Sequence, residues 1–146
     1  MRLASFTDYS LRVLIYLALK GEERSTVAEI AEKFQISKNH LVKVVHNLST
    51  LGFIESFKGK GGGISLSISA AQINIGSIVK KLEQKSYIVE CYSPSNGCAI
   101  SPSCKLKRAL KLAEDEFFNT LSGFTLEDMI TNKNSLLKNL SLTINS

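Results

Sequence analysis

Outside residues 91–104 the chain contains neither cysteine nor proline. The body of the protein therefore has no disulfide framework, and its 146 residues must be held by a hydrophobic core, for which one domain of this length is sufficient. No apolar run approaches the roughly 18 residues of a membrane span; the longest candidate, Val13 to Leu19, is short and carries Tyr16. The N-terminus lacks a basic region leading into an apolar stretch and a small-residue cleavage site, so the expected compartment is the cytoplasm. In that reducing environment structural disulfides are disfavoured, and three cysteines cannot all pair. Acid is missing from the whole stretch Gln35 to Ile54, histidine is missing after His46, and there is no internal repeat.

What is present is ordinary in bulk: 44% apolar and 21% charged residues, as in a soluble globular protein. The net charge of +5 suits a polyanionic partner and is spread along the chain. Residues 1–73 carry nine basic against six acidic side chains, and the remainder nine against seven.

Periodicity predicts a helix over about 8–20 capped by Thr7, with Leu11, Leu14, Ile15 and Ala18 on its apolar face and Gly21 at its end. Thr26 to Glu29 has capping-box spacing and opens a second helix with Val27, Ile30, Ala31 and Phe34 inward. Gln35 and Ile36 make a tight connection, and Ser37 caps a third helix running to about Leu51. After Gly52 the period changes to two: Ile64, Leu66 and Ile68 alternate with serines, and a strand near Phe53 to Phe57 pairs with them across KGKGGG. A further helix carries Ile75, Ile78, Val79 and Leu82 on one side. After the cysteine segment a long helix runs from Lys105 to about Leu121, with one short extra turn at 125–130 and a polar tail expected to fray over 131–146. Leu106, Leu110, Ala113, Phe117, Thr120 and Phe124 form a heptad-like seam on it, widened by Ala109, Leu112, Phe118 and Leu121; such a seam predicts a partner helix, in a homodimer or within the subunit.

The expected fold is mainly α with a small β-wing: a winged helix-turn-helix followed by a long C-terminal dimerisation helix. The expected division is 1–70 for DNA binding, 71–104 for a connecting helix and ligand-binding loop, and 105–146 for the dimerisation helix and tail. In the third helix Leu41, Val44, Val45, Leu48 and Leu51 face inward, while Asn39, Lys43, His46, Asn47 and Thr50 lie opposite, with Ser37, Lys38 and His40 at the leading end. Any soluble helix has a polar face, but this one carries no acid and repels no phosphate. At the wing tip Lys58 and Lys60 supply counter-charge, and Gly61 and Gly62 let backbone approach a phosphate or enter a minor groove. A nucleotide-binding P-loop would need a Gly-x4-Gly-Lys-Ser/Thr order that is absent.

The cysteines are spaced C-x6-C-x5-C within CYSPSNGCAISPSC. Structural zinc needs a fourth ligand, and the two histidines lie on the proposed reading helix, about 240° apart around it. A reactive thiol pair lacks an adjacent base. Three incidental thiols, common as small hydrophobes, are the plain alternative, and their confinement to one Pro/Gly/Ser loop argues against it. An iron–sulfur cluster suits three thiolates on a wrapping loop and leaves one iron position open.

The opening MRLASFTDYSLRVLIYLA, the helix SKNHLVKVVHNLSTLGFI, the wing GKGGGI and the loop CAISPSCKLKRAL resemble the NsrR branch of the bacterial winged-helix iron–sulfur regulators, a family that also includes IscR. The resemblance spans residues 1–130. It implies a non-enzymatic, homodimeric repressor whose cluster, 4Fe–4S with 2Fe–2S as an alternative or breakdown form, is held by Cys91, Cys98 and Cys104. It implies further that nitrosylation by nitric oxide releases a double-stranded, pseudo-palindromic operator. The fourth ligand in that branch is an aspartate near the start of the first helix of the other subunit, matched here by Asp8, with Arg12 one turn on to orient or neutralise it. Read alone, Asp8 is an acid favoured by the helix dipole, and Asp8–Arg12 an ordinary i, i+4 pair. The IscR branch, which senses cluster supply or redox state, places a histidine after the third cysteine; KLKRALK has none. The first cysteine gap is slightly longer than the family spacing.

Overall fold

In a computed structural model, residues 1–143 are described. The order is α1 (Ser5–Lys20), α2 (Val27–Phe34), α3 (Lys38–Thr50), β1 (Ile54–Phe57), β2 (Gly63–Leu66), α4 (Ile75–Leu82), α5 (Lys105–Leu121) and α6 (Lys133–Asn139). Short 3-10 turns sit at Ala70–Gln72, Glu90–Tyr92, Ser101–Ser103 and Glu127–Ile130.

The central element is α1. The predicted one-sided face understates it: Val13, Leu14, Tyr16, Leu17, Ala18 and Leu19 are buried, whereas Leu11 and Ile15 are half-buried. The reason is tertiary, since α3, β2, α4 and the 127–130 turn all pack on this one helix. Its start differs too. Thr7 lies inside the helix rather than capping it, because Ala4 takes the cap position. Glu83, at the end of α4, reaches back to the helix start, where its Oε1 accepts from Ala4 N at 3.0 Å and from Thr7 Oγ1 at 2.5 Å. A carboxylate at a helix N-terminus also meets the positive end of the dipole.

The second and third helices form as their local signals dictate. Thr26 and Glu29 make the reciprocal capping box. Gln35 turns the chain with φ 54, and Ser37 Oγ accepts from His40 N at 3.2 Å to start α3. Burial of Leu41, Val44, Val45 and Leu48 fixes which face of α3 turns inward; Leu51 is half-buried.

The two strands pair antiparallel with Ile54 opposite Leu66 and Phe57 opposite Gly63. The second strand stops at Leu66, so Ile68 falls outside it and is exposed, because Gly52 turns the opposing chain away at φ 86. Ser25 extends the wing by one bridge, exchanging backbone bonds with Ile64 at 3.0 and 2.7 Å.

The far end of α5 docks on the start of α4. Asn74 Nδ2 donates to Ser122 O at 2.7 Å, Ile75 N to Phe124 O at 2.9 Å and Leu126 N to Ile73 O at 2.8 Å. Gly76 admits this approach; a Cβ there would collide with Ser122. Phe117, Phe118 and Leu121 thus pack on the subunit's own core. The tail expected to fray forms α6, anchored by the buried Leu137; residues 144–146 lie outside the described part of the chain.

Candidate nucleic-acid interface and cysteine loop

On α3 the side chains of Lys38, Asn39, His40, Lys43 and His46 are exposed, while Asn47 is half-buried. Ser37 is committed to capping, and Thr50 Oγ1 turns back to His46 O at 3.0 Å, leaving the leading half of the helix as its outward polar surface. Within that face lies a residue that polarity does not single out. Val42 is 49% exposed on a helix whose other valines are buried. An apolar side chain between hydrogen-bonding ones on a groove-reading face is suited to a thymine methyl. The signal for it is present in the helical phase, which puts Val42 beside Asn39 and His46 rather than with Val44 and Val45.

The wing tip presents Lys58, Lys60 and Gly61 to solvent, with Gly62 half-buried. Gly62 serves the turn itself: its N–H donates to Gly59 O at 3.0 Å, and a Cβ would collide with Phe57 O and lie 2.8 Å from Gly59 O. Arg24, in the α1–α2 connection, reaches the same tip. Its Nη1 donates to Gly61 O at 3.1 Å and its guanidinium carbon lies 3.5 Å above the centroid of the Phe57 ring. Nothing local in GEERST marks that arginine, because both partners lie across the fold.

Asp8 sits in the first turn of α1 and is gripped by Arg12 of the same chain, Nε to Oδ1 at 3.1 Å and Nη2 to Oδ2 at 2.8 Å. The Arg12 guanidinium lies 5.8 Å from the Tyr9 ring and 6.0 Å from the Phe34 ring, and Tyr9 lies 6.2 Å from His40. The Asp8 pair thus approaches the leading end of α3 through one aromatic ring.

All three cysteines are free. Cys91 lies in the Glu90–Tyr92 turn and faces a cavity of about 780 Å³ shared with Met1, Leu3, Tyr87 and Ile88. Cys98 is exposed. Cys104 caps α5, its Sγ accepting from Lys107 N at 3.4 Å. The loop between them is braced rather than open. Tyr92 donates to Lys107 O at 2.5 Å, Lys107 Nζ to Ser101 Oγ at 2.9 Å and Cys98 N to Asn96 Oδ1 at 2.9 Å. Among the described residues no three His, Cys, Asp or Glu side chains converge on a metal position. Asp8 is held by Arg12 rather than by the loop of its own chain. The donor chemistry nonetheless fits a thiophilic group: three unpaired thiols, none deeply buried, on one loop. Of the basic residues after Cys104, Lys111 is already matched, bonding Asp115 at 2.8 Å and Glu114 at 3.1 Å; these two bonds hold its pKa above the usual lysine value.

The Rrf2 family, characterised as an iron-dependent transcriptional regulator, matches residues 3–132. The chain is 45% identical over 144 residues to the HTH-type transcriptional regulator NsrR of Bacillus subtilis, covering 97% of this chain and 99% of that protein. It is 43% identical over 144 residues to the NsrR of Halalkalibacterium halodurans, with the same coverage. Among solved structures, the oxidized form of Staphylococcus aureus CymR superposes with a TM-score of 0.71 at 26% identity, covering 90% of this chain and 97% of that one. T. potens IscR superposes with a TM-score of 0.73 at 21% identity, over 90% and 88% of the two chains, a likeness of fold.

Proposed function

The chain belongs to the Rrf2 family of transcriptional regulators, and from that premise we propose that it is a homodimeric repressor that binds a pseudo-palindromic operator and senses nitric oxide through an iron–sulfur cluster. The observation that carries this reading is the presence, in one chain, of an acid-free exposed helix face and a loop bearing three unpaired thiols. High identity over nearly full length to proteins named NsrR supports the nitric-oxide branch.

In this reading α3 lies in the major groove, with Asn39, Val42, Lys43 and His46 toward base edges and phosphates and Lys38 and His40 at the entering end. Lys58 and Lys60 meet the flanking backbone. Residues 1–70 then serve recognition, 71–104 sensing and 105–146 assembly. Assembly rests on α5: none of its residues is buried, and Leu106 and Leu112 are 65% and 60% exposed in the half that the subunit's own core does not cover.

Cys91, Cys98 and Cys104 would hold the cluster, with Asp8 of the partner subunit as the fourth ligand. When bound, the cluster would supply iron with one carboxylate-held corner, the chemistry that makes it open to a small diatomic ligand. The remaining steps belong to the chain's own residues. Asp8 has an alternative partner in Arg12, which takes the carboxylate whenever it is not engaged elsewhere. Arg12 also touches Tyr9 and Phe34, and Tyr9 touches His40, so the state of Asp8 bears on the entering end of α3. Two reading helices must match half-sites about 34 Å apart, so a small displacement at that end lowers operator affinity. Among the described residues no helix is long and apolar enough to cross a membrane.

The test is an anaerobic absorption spectrum and iron assay, with titration of a duplex selected from a random pool, before and after nitric oxide. Iron-containing, coloured protein that loses the duplex on treatment is the expected result. Colourless, iron-free protein that binds the duplex identically in both conditions would overturn the sensing mechanism. The IscR-type alternative predicts release on iron chelation or oxidation with indifference to nitric oxide.

A further inference from the structure

Two paired strands of four residues each are a marginal structure on their own, and the wing tip lies beyond their last register pair, Phe57 with Gly63. Ile54 and Ile64 anchor the strands in the core, and a different segment, the connection between α1 and α2, holds the outer part of the hairpin. The root of the hairpin is jammed there: Ser25 exchanges backbone bonds with Ile64, and at Gly63, with φ +136, a Cβ would lie 2.7 Å from Ser25 O. Its tip is reached by the neighbouring Arg24, which donates to Gly61 O and places its guanidinium carbon over the Phe57 ring. Arg24 therefore grips the hairpin at two places, one on the strand before the tip and one inside the turn. Lys58 and Lys60 occupy the short span between those grips.

We infer that Arg24 is a positioning residue for DNA binding, which sets the pose of the wing tip and so presents Lys58 and Lys60 to phosphate. This rests on the reading that the wing touches DNA. It goes beyond that reading by placing the determinant of the wing contact outside the wing. A guanidinium is required for it, because one planar group must stack on a ring and donate in its own plane at once. A lysine in its place keeps the charge and loses the grip.

The rival role for Arg24 is a phosphate contact of its own, and charge-preserving variants separate the two. Duplex affinity is measured across a salt series for the wild-type chain, Lys58→Gln with Lys60→Gln, Arg24→Lys and Phe57→Leu, and for each of the last two combined with the lysine pair. Removing one phosphate interaction lowers the slope of log K against log salt by about 1. The lysine pair is expected to lower it by about 2. Arg24→Lys and Phe57→Leu are expected to weaken binding about tenfold and to lower the slope toward that of the lysine pair, although neither changes net charge. Added to the lysine pair, each is expected to change affinity by less than about twofold, the non-additivity of residues acting through one another.

Arg24→Lys binding with wild-type affinity and slope overturns the proposal, as does full additivity with the lysine pair. If the lysine pair alone leaves affinity and slope unchanged, the wing-contact reading itself fails, and this inference with it. Thermal unfolding of each variant accompanies the titrations. Should Phe57→Leu unfold early, the surface variant Arg24→Lys decides the matter.

Discussion

Arg12 holds both carboxylate oxygens of Asp8, the side chain that the family resemblance marks as a cluster ligand. A residue cannot be fully committed to an arginine of its own chain and to iron on another. In the proposed reading the two partners compete for Asp8, and the competition has a direction.

Arg12→Gln removes one competitor. The pair is nearly half exposed, at 42% and 46%, so its loss costs stability no more than about 0.5 kcal/mol. Asp8 becomes more available as a ligand, so operator release is expected to need more nitric oxide per iron than in the wild-type protein. Asp8→Asn is expected to change the anaerobic absorption spectrum and to alter nitric oxide sensitivity while leaving the unfolding temperature near wild type. A release curve for Arg12→Gln that overlays the wild type would rule out the competition.

The three cysteines separate by what else they do. Cys91→Ala and Cys98→Ala remove half-buried or exposed thiols that hold nothing in the fold, so metal-free stability is expected to change by less than about 0.5 kcal/mol. Cys104→Ala also removes the cap of α5 and is expected to cost up to about 1 kcal/mol more. All three are expected to abolish iron retention in anaerobic preparations. Urea unfolding of the metal-free variants and an iron assay check the two effects independently.

Elements whose determinants are local are legible in the sequence: the capping box of α2, the Ser37 cap of α3 and the span of α5 all follow from residues within a turn of the boundary. Thr7 misleads for the opposite reason. It has the composition of a cap, but its hydroxyl is claimed by Glu83 far along the chain, and no local rule reports such a partner. Gly62 reads in the sequence as an opening for phosphate, and the structure adds a second requirement for glycine there, steric exclusion inside the turn. Arg24 is invisible in the sequence because its grip exists only after the wing folds back on the α1–α2 connection. The ligand set of the loop is visible as composition. Its convergence is not: among the described residues the three thiols do not meet at one position, and in the proposed reading a bound group and a second subunit would bring them together.

On α3 the prediction turns on the kind of contact. Lys43→Ala is expected to weaken binding to all duplexes alike and lower the salt slope by about 1, as loss of a phosphate interaction does. Asn39→Ala is expected to relax discrimination at one base pair by about 1–3 kcal/mol, with a smaller effect on unrelated sequences. Val42→Ser, by removing methyls from an exposed site, is expected to leave stability within about 0.5 kcal/mol while weakening preference for thymine at one position. Selection from a random pool with each variant reads all three.

The exposed half of α5 yields a prediction about assembly. Leu106→Glu with Leu112→Glu places charge on side chains that touch little in their own subunit. Burying both charges against a second copy would cost far more than leaving them in water. Sedimentation is expected to show a monomer with unchanged helical content, and duplex affinity is expected to fall because paired half-sites are no longer read together. A dimer that persists would move the interface elsewhere.

Glu29 supplies the last prediction, a pH dependence. Burial pushes its pKa up, but the hydrogen bond from Tyr16, the charge and bond of Lys20 and the bond from Thr26 N outweigh burial and bring it below its ordinary value of 4.5. Tyr16 Oη donates to Glu29 Oε1 at 2.5 Å from a fully buried ring, and burial with this bond raises the tyrosine's own pKa. A carboxylate with a depressed folded pKa contributes stability that is complete above its unfolded value and is lost as pH falls through the folded one. Glu29→Gln keeps the shape and hydrogen-bonding capacity of the capping box and removes the charge. The stability difference between wild type and Glu29→Gln is therefore expected to be level, at about 1 kcal/mol, above about pH 5 and to shrink as pH drops below about 4.5. Tyr16→Phe removes the first of the lowering causes and is expected to reduce that difference and move its fall to higher pH. Urea unfolding of metal-free protein at a series of pH values measures it. A difference that is flat across the acid limb would show that Glu29 acts through its backbone cap alone.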